Sequence, residues 1–175
     1  MQGQPVPQVT FKTGYHRNGV CGPDSFIWQE RTSEEIFNGR KVIVFALPGA
    51  FTPTCSSTHL PGYQKLHTEF DAQGIDEIIC LSVNDAFVMW AWGQDQDVEH
   101  ITLLPDGNGD FTRAMGMMVE KCNLGFGERS WRYSMYVNDG TIEQMFVEPG
   151  FEHNCGSDPF EVSDAHTMLD YLRPQ

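Results

Sequence analysis

The stretch Val42-Ile43-Val44-Phe45-Ala46-Leu47-Pro48-Gly49-Ala50-Phe51-Thr52-Pro53-Thr54-Cys55 decides the reading of this chain. Its opening is an unbroken apolar run, the pattern of a central strand covered on both faces. Pro48-Gly49 stops the run, and a short loop leads to Pro53. Proline suits a first helical turn, where its missing N–H costs nothing. Residues 54–70 then have the length for a helix. Cys55 falls in its first turn, where unpaired N–H groups and the positive dipole end favour an anion. Thiolate is the reactive form of cysteine, so this is a place where a cysteine can do chemistry. The competing reading is packing, since most unpaired cysteines are small buried hydrophobes.

Outward from this stretch, strand and helix patterns alternate. The helix continues to about residue 71, kinked or interrupted by Pro61-Gly62, with Tyr63, Leu66 and Phe70 turned to the core. Residues 77–83 read as a second buried strand, in which Cys80 is a packed core residue. Asn84-Asp85 can cap a helix over 86–92 that Gly93 ends, and its aromatics serve core packing, the default, or a subunit interface. A third strand follows at 101–104, a short helix at 110–115, and a glycine-punctuated loop at 116–127 that contains Cys122. Asp139-Gly140 between the apolar runs 131–137 and 141–147 is the strongest hairpin signal in the chain. A loop over 148–159 carries Cys155, and Ser163 or Asp164 caps a last helix over 165–172. Before residue 40 the signals are weaker: an edge strand at 6–13, a loop at 14–25 with Cys21 as a surface thiol, a short strand at 26–29, and a helical turn at 33–37 capped by Thr32 or Ser33. The pattern predicts an α/β fold with a central mixed sheet flanked by helices, in one domain spanning residues 1–175. Cys55, at the carboxyl end of a central strand, would sit where open α/β sheets bind ligands.

Composition narrows the function. Asp and Glu outnumber Lys and Arg by 24 to 11, a formal charge of −13. Phosphate neutralisation needs the opposite balance, so nucleic acid and anionic membrane surfaces are disfavoured as partners. No apolar run has the length of a membrane span, and the first residues show no basic segment leading into an apolar one. The five cysteines, Cys21, Cys55, Cys80, Cys122 and Cys155, are odd in number and widely spaced, with no CxxC pair. That fits a reducing, cytoplasmic setting and argues against a disulfide framework, a structural zinc site and a dithiol oxidoreductase. The six histidines form no ligand spacing, and no phosphate loop or dinucleotide fingerprint is present, so neither metal nor cofactor is expected.

The segment Pro48-Gly49-Ala50-Phe51-Thr52-Pro53-Thr54-Cys55-Ser56-Ser57-Thr58-His59-Leu60-Pro61 resembles the active-site segment of peroxiredoxins, most closely the type 5 subgroup. Four more segments are similar to that subgroup: Cys80-Leu81-Ser82-Val83-Asn84-Asp85, Leu104-Pro105-Asp106-Gly107, Arg132-Tyr133-Ser134-Met135 and Val147-Glu148-Pro149. The resemblance runs from about residue 40 to the end, including Asp158-Pro159-Phe160 and beyond, and extends to bacterial proteins in which such a domain is fused to a glutaredoxin. It implies a thioredoxin-like fold, often dimeric, and a thiol-dependent peroxidase acting on hydrogen peroxide and alkyl hydroperoxides. By resemblance Cys55 is the peroxidatic cysteine, and Pro48, Thr52 and Arg132 complete the site. Arg129, close in sequence, is assigned a secondary electrostatic role, and His59 a structural hydrogen bond.

The resemblance also implies what recycles the enzyme. Cys155, in the loop after Val-Glu-Pro, is the candidate resolving cysteine, although its spacing is one residue shorter than the family pattern; Cys122 and Cys21 rank behind it. The other route is an external thiol, with glutathione/glutaredoxin or thioredoxin as reductant. Two different functions compete with the peroxidase: a general thiol–disulfide oxidoreductase, and a redox-sensing or chaperone-like interaction protein.

Overall fold

The computed structural model describes residues 1–17 and 25–173, so the expectation for Cys21 lies outside the described residues. The chain opens with an antiparallel hairpin, β1 (Thr10–His16) and β2 (Phe26–Thr32). The first strand starts and ends later than the expected 6–13, entering the stretch read as loop, and the second runs on past residue 29, because their pairing extends through Gly14, opposite Trp28. Helix α1 (Ser33–Phe37) follows at once. Thr32 accepts from the Glu35 N–H and Glu35 reaches back to the Thr32 N–H, a reciprocal cap that fixes where the helix starts.

Strand β3 (Lys41–Ala46) is the middle of a five-stranded mixed sheet. It leads to the helical segment that bears Cys55, which continues as α2 (Leu60–Lys65) and, after a break at Leu66, α3 (His67–Ala72). Strand β4 (Glu77–Ser82) lies parallel to β3, and β5 (Thr102–Pro105) lies parallel to β4 at the sheet edge, where a proline is tolerated. Between them α4 (Ala86–Asp95) passes through Gly93 instead of ending there. The glycine serves close packing: a Cβ at that position would lie 2.9 Å from Leu103 Cδ1.

After α5 (Asp110–Ala114), the region read as loop contains a small antiparallel pair, β6 (Met118–Glu120) and β7 (Glu128–Ser130), with a single 3-10 turn at Cys122–Leu124 between them. Strands this short carry too few residues to show an alternating pattern. Strands β8 (Tyr133–Asn138) and β9 (Thr141–Val147) form the hairpin read from Asp139-Gly140. Both turn residues have positive φ, 45° and 72°, as the two-residue turn requires. Strand β8 pairs antiparallel with β3, and α6 (Ala165–Leu172), capped by Asp164, closes the described chain.

The residues of β3 alternate between two cores. Ile43 and Phe45 pack with Tyr63, Phe70, Trp92 and Met168, while Val42, Val44 and Ala46 pack with Phe11, Phe37 and Phe111. Both faces are therefore covered, which is why the strand reads as continuous apolar sequence. No helix among the described residues is long and apolar enough to cross a membrane.

Candidate active site

The site forms where β3 ends. Thr52 accepts the first helical hydrogen bond, from the Ser56 N–H at 3.0 Å, so the helix begins just before Pro53, as the proline signal indicates. The Thr54 and Cys55 N–H groups then fall in the unpaired first turn. The turn at Cys55–His59 is π-helical, with the Leu60 N–H donating to the Cys55 carbonyl five residues back. Pro61 explains this step: having no N–H, it cannot continue the ordinary ladder, and the wider turn takes up the mismatch directly before it.

The loop ahead of the helix is tightly tied. The Asn84 side-chain oxygen accepts from the Ala50 N–H at 3.0 Å and from the Ser82 hydroxyl at 2.7 Å. The Thr52 hydroxyl donates to the Gly49 carbonyl at 2.7 Å, which closes the loop and leaves its oxygen lone pairs available. Phe51 holds φ of 62°, a backbone conformation that bulky residues seldom adopt. On the other side of the helix, the Trp92 indole N–H donates to the Ser56 hydroxyl at 3.0 Å.

Arg132 reaches Cys55 through sheet register. Tyr133 pairs with Ala46, so the residue before β8 lies at the carboxyl end of β3. Arg132 Nη1 sits 3.4 Å from Cys55 Sγ and 3.1 Å from His59 Nδ1, and Nη2 donates to Asp158 Oδ1 at 2.6 Å. Both Cys55 (0% exposed) and Arg132 (1% exposed) are shut off from bulk water. Burial works against the arginine charge, but the Cys55 and Asp158 charges outweigh it and hold the guanidinium above its ordinary value. Arg132 Nε has no partner among the described residues, which leaves one donor of the fork free.

His59 is a spacer in this network and no base. Burial, and then the Arg132 charge, hold its imidazole well below the usual range, so it is neutral. With Nε2–H donating to the Ser163 carbonyl at 3.2 Å, Nδ1 accepts from Arg132; this tautomer is the one that satisfies both contacts. The Tyr63 hydroxyl also donates to the Ser163 carbonyl, at 2.9 Å. Ser163 is itself held by the buried Glu148, whose carboxylate accepts from the N–H groups of Glu161, Val162 and Ser163 and from the Ser163 hydroxyl.

The sequence expectations can now be placed. Cys55, Arg132 and His59 come together; Thr52 and Pro48 belong to the adjoining loop, but the Thr52 hydroxyl turns to Gly49 and makes no bond to the sulfur. Arg129 points elsewhere, donating to the Val83 carbonyl beside the Phe126 ring. Cys80 pairs with Phe45 inside the sheet. Burial, and then the Cys55 charge, push its thiol well above the ordinary range, so it stays protonated. Cys155 is buried with its sulfur 3.4 Å from the Ser157 hydroxyl, and Cys122 is exposed. An open cleft of about 400 Å³ adjoins the site, lined by Pro48 and Thr52 from the active-site loop and by Lys121, Phe126, Cys155 and Asp158 from later loops. Sequence reasoning missed Asp158, Glu148, Asn84 and Lys121. A carboxylate followed by proline at a strand end was a usable hint for Glu148, because charge at such a position is buried only when paired.

A buried sulfur at a helix start, touched by a permanent cation, is an arrangement that can favour negative charge and attack on an electrophile. Comparison with known proteins agrees. The Redoxin family model matches residues 2–169. A Synechocystis peroxiredoxin is 62% identical over 99% of this chain and 92% of its own length. The hybrid peroxiredoxin of Haemophilus influenzae is 55% identical over all of this chain and 67% of its own. Reduced Prx3 of Vibrio vulnificus in complex with hydrogen peroxide superposes with a TM-score of 0.83 at 40% identity, over 99% of both chains. The fold is thus the thioredoxin-like one of the redoxins. Within that class, the chain belongs to the peroxiredoxin family, and it is a thiol-dependent peroxidase.

Proposed function

We propose that Cys55 is the peroxidatic cysteine, that Arg132, Thr52 and Pro48 prepare it, and that the enzyme reduces hydrogen peroxide and alkyl hydroperoxides at this sulfur. The observation that carries the reading is the buried Arg132 guanidinium 3.4 Å from Cys55 Sγ. The Cys55 thiolate attacks one peroxide oxygen. An S–O bond forms, the O–O bond breaks, and the leaving oxygen takes a proton from solvent to depart as water or alcohol. The sulfur is oxidised by two electrons to a sulfenic acid. Arg132 Nε and Nη1 are donors fixed in one plane, suited to the charge that develops across the breaking bond. Neutral His59 holds Nη1 in place, and Asp158 fixes the opposite edge of the fork. Thr52, with its proton committed to Gly49, presents an acceptor to the hydroperoxide O–H. Pro48 lines the cleft through which peroxide would reach the sulfur.

For recycling, Cys155 lines the same cleft as Thr52, Pro53 and Thr54, one to three residues before Cys55. Attack of its thiolate on the sulfenic acid would form a Cys55–Cys155 disulfide and release water, and two thiols from glutathione/glutaredoxin or a thioredoxin dithiol would reduce it. Without that step, an external thiol attacks Cys55 directly. Mass analysis after one equivalent of peroxide should find the Cys55–Cys155 link; a persistent sulfenic acid or a glutathione adduct would reject it. The working unit is a single domain of residues 1–175 in a reducing, cytoplasmic setting, acting as a homodimer. The exposed Phe87, Trp90 and Trp28, with Trp28 edge to face on Phe87 and Trp90 tilted against His16, supply an apolar surface for the dimer. Cys55→Ser should abolish thiol-supported peroxide consumption; wild-type turnover in this variant would end the assignment.

A further inference from the structure

Lys121 lines the cleft beside the active-site loop. Lys121 as a residue is only 2% exposed, and among the described residues its ammonium, which keeps an opening to solvent, makes no hydrogen bond and no ion pair. Among the described residues the ammonium packs over the face of Trp131, 5.0 Å from Nζ to the ring centroid. Lysine is seldom buried this far unless it is paired. Its place is firmly built. The Lys121 N–H donates to the Gly127 carbonyl at 2.8 Å, and its own carbonyl accepts from Leu124 and Phe126, each at 3.1 Å. Trp131 is anchored in turn, its indole N–H donating to the Glu148 carbonyl at 2.8 Å.

The other charged side chain of the cleft, Asp158, is taken by Arg132 at 2.6 Å. Pro48, Leu124 and Phe126 make much of the remaining lining apolar. An anion for Lys121 would then come from outside, on a molecule with an apolar body. A chain of formal charge −13 repels anions in general, so a local cation of this kind selects among them.

We propose that Lys121 binds the carboxylate of an organic hydroperoxide, a hydroperoxy acid whose apolar body lies along the cleft and whose O–O group points past Thr52 toward Cys55. This rests on the peroxidatic reading of Cys55 and adds a substrate preference to it. A carboxylate could also belong to a thiol reductant, so the test isolates the oxidative step. Reduced enzyme without thiol is mixed with a medium-chain hydroperoxy acid, with its methyl ester, or with hydrogen peroxide. The second-order rate constant for the acid should exceed that for the ester by about tenfold, the scale of one charge-assisted hydrogen bond. Lys121→Met should bring the acid-to-ester ratio near one, lowering the rate with the acid more than that with hydrogen peroxide, and Lys121→Arg should keep the preference. Equal wild-type rates for acid and ester, or a preference retained in Lys121→Met, would overturn the proposal. So would an equal loss with all three peroxides, which marks a structural role, or a carboxylate preference confined to the thiol step. No oxidation of the wild type by any peroxide would instead strike down the peroxidatic assignment itself.

Discussion

Replacing Arg132 by methionine removes the one permanent charge that, among the described residues, touches the Cys55 sulfur. At the 3.4 Å separation of Nη1 and Sγ, the Coulomb interaction of a full charge pair at an effective dielectric of about 20 is about 5 kcal/mol. Water entering the vacated space would recover part of that, leaving a loss of about 3 kcal/mol, or roughly a hundredfold in the rate of sulfur oxidation. Arg132→Lys keeps the charge but has no planar fork to reach Cys55, His59 and Asp158 together, so it should lose about tenfold. The assay is stopped-flow tryptophan fluorescence of the reduced enzyme mixed with hydrogen peroxide. Trp92, bonded to Ser56 in the reactive turn, is the reporter, and a direct measure of peroxide consumed is the control. Urea unfolding of each variant separates a chemical effect from loss of fold. If Arg132→Met, still folded, oxidises within about threefold of the wild-type rate, the electrostatic account of the site is refuted.

Other perturbations have defined outcomes. Glu148→Gln weakens a buried carboxylate that accepts four hydrogen bonds, so it should lower stability by about 2–4 kcal/mol in urea titration and reduce turnover through displacement of Ser163. His59 is neutral when folded and titrates higher when unfolded; the unfolded chain thus binds the extra proton below about pH 6.5. Stability should therefore fall as pH drops below that value, by up to about 1.4 kcal/mol per pH unit from this group, and unfolding at two pH values should show a flatter slope in His59→Asn. Thr52→Val should lose about tenfold or more in oxidation rate, while Thr52→Ser, which keeps the hydroxyl, should stay near wild type. A valine variant as active as the serine one would show that the Thr52 oxygen serves only the loop.

Legibility followed the range of the interactions. The strand from residue 41, the Asp139-Gly140 turn and the caps at Thr32, Asp85 and Asp164 are set by neighbours in sequence, and each was readable. Cys55 was readable as a candidate because it falls in the first turn of a helix, and Arg132 and Thr52 entered through motif resemblance. What stayed hidden depends on distant pairing. Asp158 meets Arg132 across the β8–β9 hairpin and the loop after it, Glu148 gathers a backbone turn 13 to 15 residues away, and Asn84 holds the Ala50 N–H, although from sequence it reads as a cap. The π-helical step was also missed, though Pro61 carried its cause in plain view. Gly93 looked like a helix end because its purpose, contact with Leu103, lies on another element. The aromatics of α4 divide in the same way: Trp92 is buried, as the packing reading has it, while Phe87 and Trp90 face outward.

The most direct test is to expose the reduced protein to one equivalent of hydrogen peroxide in the presence of a sulfenic-acid trap and to locate the adduct by peptide mass spectrometry. The adduct should fall on the peptide containing Cys55, leave the buried, protonated Cys80 unlabelled, and diminish strongly in Arg132→Met. First labelling at another cysteine, or undiminished labelling of Cys55 without the arginine, would contradict the account.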